Sequence, residues 1–127
     1  MSGERFVGRL PTPVAIESYG RGGFRFGGMS HRGSLLCLPT GLKAWEPGEP
    51  PVFDETTLAE VFAEAGGIDI CLLGTGRDLV PLSDALRWRF RDARIAVEPM
   101  STGNALRTWN ILLSERRRVA AALVAVD

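Results

Sequence analysis

Two hydrophobic periods divide the chain. Up to about residue 46 the apolar positions come in short alternating or clustered runs between turn residues; from residue 57 they recur at three- and four-residue spacing, broken by unbroken apolar stretches. The first half therefore predicts strands and turns. Pro13–Ser18 is a short extended segment, and Phe24-Arg-Phe26 is a short strand with both rings on one face, set among glycines that suit turns. Gly33–Leu38 is a buried strand ended by Pro39, and Gly41–Glu46 alternates as a strand near a sheet edge, carrying Leu42, Ala44 and Trp45. Met29–Gly33 reads as a loop holding His31.

In the second half, Thr57-Leu-Ala-Glu60 has the form of a capping box before Leu58, Val61, Phe62 and Ala65, with Gly66-Gly67 as the stop. Ile68–Leu73 is a strand with apolar residues toward both faces. A second helix over 82–92 carries Leu82, Leu86 and Phe90 on one stripe, and Ile95–Val97 is the next strand. A third helix over 103–115 turns Leu106, Trp109, Leu112 and Leu113 inward, and Val119–Val126 is the last strand. This β-α-β-α-β order predicts parallel strands joined by right-handed crossovers. The hairpin-rich first half either extends that sheet or packs a small sheet beside it. The fold class is α/β, with one domain over 1–127 whose first 13 residues form a loose segment.

A length of 127 residues suffices for a core that buries ~65–70% of the unfolded surface. Net charge is +0, which removes the global electrostatic case for nucleic acid. The basic groups are nearly all arginine and cluster locally, at Arg87, Arg89, Arg91 and Arg94 and at Arg116–Arg118. Arg87, Arg91 and Arg94 are spaced to share a helix face, whereas Arg116–Arg118 sit where cations offset a helix dipole. Cys37 and Cys71 lie inside apolar runs and read as reduced core thiols, in keeping with a cytoplasmic chain. No run approaches the ~20 apolar residues of a membrane span, and no signal peptide is visible.

Several chemistries lack their residues. His31 is the only histidine, so any triad would have to use it. Neither cysteine has a partner at metal-ligand spacing, and both the P-loop and the dinucleotide glycine patterns are absent. The expectation is a chain with no metal and no cofactor, and without catalytic residues. The run Tyr19–Gly28 resembles an Arg-Gly-Gly tract but suits turns between strands better.

The place to look for a ligand is beyond the carboxyl ends of the parallel strands. Gly74, Thr75 and Gly76 close one strand there, and Glu98 to Thr102 close the other. Ser101 or Thr102 can cap the third helix and aim its first N–H groups at the gap, with Arg107 and Asn110 following on the helix. Gly74, Thr75, Gly76, Glu98, Thr102, Arg107 and Asn110 would together form a small anion-friendly pocket, that of a small-ligand binding protein or of an uncharacterised enzyme with Glu98 as its one carboxylate. The same residues also allow a purely structural account: a cap, a Glu98–Arg107 pair and a tight turn.

A longer pattern runs through these positions: Gly74-Thr-Gly76, Pro81, Val97-Glu98-x-Met100-x-Thr102, and Ala105-x-Arg107-Thr108-Trp109-Asn110-x-Leu112-Leu113-x-Glu115, continuing through Val119 to Leu123. With Gly28, Gly33-Ser34, Pro39 and Trp45 it resembles the Mth938-like domain family over residues 14–126. Leu106 stands where relatives often have Cys, and Trp109 where they have Tyr, which argues against thiol or phenol chemistry at those places. The resemblance implies a three-layer α/β fold around a central mixed sheet and no known cofactor. Eukaryotic members are implicated in assembling respiratory complex I through protein partners. It thereby implies a non-enzymatic interaction or assembly protein, cytoplasmic, with peripheral association at a membrane.

Overall fold

The computed structural model describes residues 4–5 and 9–127. Of the N-terminal segment read as loose, residues 1–3 and 6–8 therefore lie outside the described residues. The strands are β1 (Glu4–Arg5), β2 (Arg9–Leu10), β3 (Ser18–Gly20), β4 (Gly23–Phe26), β5 (Met29–Arg32), β6 (Ser34–Leu38), β7 (Gly41–Trp45), β8 (Ile70–Gly74), β9 (Ala96–Met100) and β10 (Val119–Leu123). The helices are α1 (Ala59–Ala63), α2 (Asp84–Asp92) and α3 (Thr102–Ser114).

A six-stranded mixed sheet in the order β2-β7-β6-β10-β8-β9 forms the middle layer. β8, β9 and β10 run parallel, whereas β6 and β7 join antiparallel beside β10. β10 lies between β6 and β8, so both of its edges are paired, and with layers packed on both faces every residue from Val119 to Leu123 is buried. Its alanines let the layers on either side come close.

Strand alternation divides the core into two halves. Leu36, Leu38, Cys71, Leu73, Ala120 and Ala122 face α1 and α2, where Val61, Leu82, Leu86 and Phe90 meet them. Leu35, Cys37, Leu72, Ala121 and Leu123 face α3, where Leu106 and Trp109 meet them, together with Phe24 and Phe26 of a second sheet. That second sheet has four strands in the order β1-β5-β4-β3. The first half thus does both things open to it: β6 and β7 extend the main sheet, and β3 to β5 make a small one. The two cysteines occupy opposite halves of the core, so they cannot pair, and burial pushes both thiols up from their ordinary pKa.

Three local expectations need correction. Thr57 and Glu60 form no capping box. Thr57 and Asp54 instead bond each other's backbone, Asp54 N–H to Thr57 Oγ1 at 3.1 Å and Thr57 N–H to Asp54 Oδ1 at 2.8 Å, and Glu60 pairs with Lys43 at 2.7 Å. The helix is short and starts after Leu58, without a side-chain cap. Met29–Arg32 is not a loop but strand β5, paired with β4 through Phe24↔His31. Arg94 is not on the face of α2, because the helix ends at Asp92 and Arg94 has a left-handed φ of 60°. There Ile95 N–H reaches back to Phe90 C=O at 3.1 Å, and after α3 Arg116 (φ 59°) lets Arg117 N–H reach Leu112 C=O at 3.0 Å. These six-to-one bonds are the Schellman stop of a helix.

The segment before β3 has no strand partner at Ile16, and α3 supplies one. Asn110 Nδ2 donates to Ile16 C=O and its Oδ1 accepts from Ile16 N–H, each at 2.8 Å. One residue earlier, Trp109 Nε1 donates to Val14 C=O at 3.0 Å. Asn110 is therefore a side-chain imitation of a strand neighbour, and it holds Ile16 in the core at 2% exposure. Asn110→Ala leaves both Ile16 groups without a protein partner and should destabilise the fold by about 1–3 kcal/mol. Urea denaturation gives the loss, and faster hydrogen exchange confined to the Ile16 amide and its neighbours identifies the cause.

Candidate functional site

The chain reverses direction across the sheet after β9. β8-α2-β9 steps outward and β9-α3-β10 steps back over β8, so two crossovers of the same hand put α2 and α3 on opposite faces. The loops leaving β8 and β9 part at that point. In open α/β sheets such a parting opens a ligand crevice. It is where Gly74, Thr75, Gly76 and Thr102 meet.

Here the gap is closed by the chain itself. Thr75 N–H donates to Met100 C=O at 2.8 Å, and Thr102 N–H donates to Gly76 C=O at 2.7 Å. Gly76 N–H donates to Thr102 Oγ1 at 3.0 Å, and that hydroxyl donates in turn to Val124 C=O at 2.7 Å. Thr102 has no exposed surface. Thr75 Oγ1 donates to Asp78 C=O at 2.6 Å and accepts from Val80 N–H at 2.9 Å, which shapes the loop toward α2. Gly74 permits the fit: a Cβ there would stand 3.0 Å from both Thr102 Cα and the Leu123 side chain. Gly76, at φ 111°, makes the turn.

The other expected site residues divide. Glu98 lies inside β9 rather than beyond it, opposite Leu72 in the register and exposed, because the strand runs on through Pro99 to Met100. Its structural alternative, a pair with Arg107, is not formed either; Arg107 Nη2 donates to Asn104 Oδ1 at 2.7 Å. Asn110 is committed to Ile16. Gly76 and Arg107 do line an open recess of about 190 Å³, shared with Tyr19, Arg77, Ser101 and Gly103 at the start of α3. Ser101, not Thr102, caps that helix, accepting from Asn104 N–H at 3.3 Å. Tyr19 and Arg77 were missed by sequence reasoning, because nothing in the order of residues shows that β3 comes to rest against Gly103. Among the described residues there is no group of acidic, His and Cys side chains that could hold a metal ion.

Removing the Thr102 hydroxyl tests how much the closure matters. Thr102→Val strands a buried N–H and a buried C=O and should cost about 2–4 kcal/mol, whereas Thr102→Ser keeps both bonds and should cost about 1 kcal/mol. The measurement is the urea midpoint at unchanged slope.

With this geometry in view, comparison with known proteins is informative. A family model described as "Protein of unknown function (DUF498/DUF598)" matches residues 16–124. An uncharacterized protein of Rhodobacter capsulatus is 41% identical over 119 residues, covering 94% of this chain and 87% of its own. The NADH dehydrogenase (ubiquinone) 1 alpha subcomplex assembly factor 3 of Xenopus tropicalis is 32% identical over 109 residues, covering 86% of this chain; the match spans 60% of that protein's length. A crystal structure described as an outer membrane protein from Bartonella henselae superposes with a TM-score of 0.89 at 43% identity, covering 93% of this chain and 99% of that one. A Mth938-like domain from Bordetella pertussis shares the fold with a TM-score of 0.67 at 23% identity, over 87% of this chain and 85% of that one. No helix among the described residues is long and apolar enough to cross a membrane. The chain belongs to the family of proteins of unknown function DUF498/DUF598, has the fold of the Mth938-like domain and is similar to the NADH dehydrogenase assembly factor 3 proteins.

Proposed function

We propose that this protein is a non-enzymatic assembly-factor-like protein that works through protein partners in the biogenesis of a respiratory or membrane complex. The observation that carries the reading is the 32% identity with assembly factor 3, which runs across 86% of this chain. The geometry agrees with it. The polar groups at the usual ligand crevice of the fold bond one another, and among the described residues no buried side-chain nitrogen or oxygen is left without a partner. Exposed surface is then what the molecule has to offer, including Trp88 at 61% exposure, Leu79 and Val80. Exposed tryptophan with neighbouring arginine is the composition that dominates protein interfaces. Deleting the gene in the native host should lower NADH:quinone oxidoreductase activity in isolated membranes and leave subcomplexes on native gels. Unchanged amounts of the intact complex would rule the reading out.

A second reading keeps the small anion. The recess beside Gly103 is lined by two guanidiniums, Arg77 and Arg107, against one carboxylate, Asp127, at the N-terminus of α3, where the helix dipole favours negative charge. An anion at ~10 times its dissociation constant should raise stability by about 1.4 kcal/mol. A thermal-shift series with sulfate, phosphate and small carboxylates should show this rise, and Arg107→Gln should abolish it. A flat response in the unmodified protein removes this reading.

A further inference from the structure

The outer face of the small sheet carries charge that neither reading uses. Phe24 and Phe26 of β4 enter the core, so Arg25 between them faces outward. Register gathers more residues on that outer face. Ser18 and Ser30 lie directly opposite Arg25, and Gly20 and Arg32 directly opposite Gly23. Arg25 and Arg32 are then diagonal neighbours, with stems ~7–8 Å apart. Arg21 stands at the tip of the β3–β4 hairpin. Together these side chains line a concavity of about 450 Å³.

Three observations set this face apart from an ordinary solvated one. First, among the described residues none of the three guanidiniums takes part in an ion pair; Arg25 Nη1 donates to Ser30 Oγ at 3.1 Å. The nearest acidic residue in sequence, Glu17, is turned away to accept from Gly28 N–H at 3.2 Å. Second, Gly20 leaves open space beside the arginines, whereas Gly23 is glycine because a Cβ there would meet the His31 backbone. Third, Arg21 occupies a costly position. Its φ of 52°, followed by 78° at Gly22, belongs to a two-residue turn whose first place suits Asn or Gly. The turn is fixed on both sides, by Gly22 N–H to Val126 C=O at 2.8 Å and Gly33 N–H to Gly22 C=O at 2.7 Å. A strained residue held by its surroundings is a mark of a functional place.

We propose that this face is a phosphoryl-anion site, in which Arg21, Arg25 and Arg32 hold a ligand bearing two or more phosphoryl groups and Ser18 and Ser30 add hydroxyl donors. Each guanidinium offers a planar fork that fits phosphoryl oxygens in pairs. Three unneutralised cations around one concavity match a ligand with several negative charges better than a single carboxylate. The volume exceeds what one inorganic phosphate fills. The source of the phosphoryl groups is a soluble polyphosphate chain or a lipid headgroup, and the experiment separates them.

The probes are inorganic tripolyphosphate, titrated calorimetrically at low salt, and phosphatidylcholine vesicles with or without cardiolipin, tested by co-sedimentation. Arg25→Gln and Arg32→Gln should each weaken binding about tenfold or more, since a hydrogen bond to a charged group is worth ~1.5–3 kcal/mol and ~1.4 kcal/mol is tenfold. Added salt should weaken it further. Arg21→Asn is the decisive variant: it should raise the melting temperature by relieving the turn and yet lower the affinity. Arg87→Gln with Arg91→Gln on α2 removes as much charge and should leave the affinity unchanged. Binding to tripolyphosphate identifies a soluble ligand, and binding to cardiolipin vesicles alone identifies a headgroup. The proposal is overturned if neither probe binds, if the α2 pair matters as much as Arg25 and Arg32, or if Arg107→Gln abolishes binding while the small-sheet variants keep it.

Discussion

One hydroxyl holds the site region together. Thr102 Oγ1 accepts from Gly76 N–H and donates to Val124 C=O, and so joins the loop after β8, the start of α3 and the residue after β10. Its burial is a consequence of topology. Two crossovers of one hand, taken in opposite directions, must separate the loops after β8 and β9, and the gap between them has to be filled. Water or a ligand fills it in many α/β proteins. In this one the backbone fills it, because Gly74 lets α3 settle against the strand end and Gly76 turns its carbonyl to Thr102 N–H. The most accessible functional place of the fold is thereby converted into a structural joint.

What could be read in the sequence follows from what each signal reports. Period and burial are local properties, so β6, β8, β10 and the apolar stripes of α2 and α3 were all legible, whereas the three-layer arrangement was implied only by the family resemblance. The capping box at Thr57 failed because the same threonine has a nearer partner in Asp54, which competes for the same backbone groups. Strand β5 was missed because Met29-Ser-His-Arg has no alternation of apolar and polar residues; its strand character comes from β4, through pairing. At the site, Thr102 was read as a helix cap or a ligand residue, whereas its hydroxyl joins Gly76 N–H to Val124 C=O and Ser101 is the cap. Asn110 shows the same limit. Its amide looks like a ligand group on a helix, and only the placement of residue 16, 94 positions away, reveals it as a tether. Glu98 was placed beyond its strand because the apolar run ends at Val97. On the outer edge of the sheet a proline loses no ladder bond, and the strand continues.

The left-handed residues offer an independent view of where the fold accepts strain. Outside glycine, the described residues with positive φ are Arg21, Arg94 and Arg116. Two of them end helices, where a cation beside exposed carbonyls recovers part of the cost through the dipole. Arg21 has no helix beside it. Its hairpin would be relieved by Asn or Gly, and its guanidinium stands over a face that already carries Arg25 and Arg32. The same backbone geometry thus has a structural reason at two places and a chemical one at the third.

This bears on how charge should be weighed in a neutral protein. A formal net charge of +0 removed the global electrostatic case for nucleic acid when only totals were known. Totals govern interactions at long range, and at physiological salt the screening length is ~8 Å, less than the ~14 Å radius of gyration of a chain this size. A partner at the surface therefore responds to the patch it touches. Arg118 is neutralised by Asp69, with contacts at 2.6 and 3.1 Å, and Arg89 by Glu55 at 2.6 Å. That pairing holds the Asp69 carboxyl below its ordinary pKa. Arginines with such partners are already accounted for by the fold. Among the cations that form no ion pair within the described residues are Arg21, Arg25 and Arg32 on the small sheet, Arg87 and Arg91 on α2, and Arg77 and Arg107 in the recess at the start of α3. Locally unpaired charge, not the sum over the chain, is the measure of what this protein can attract.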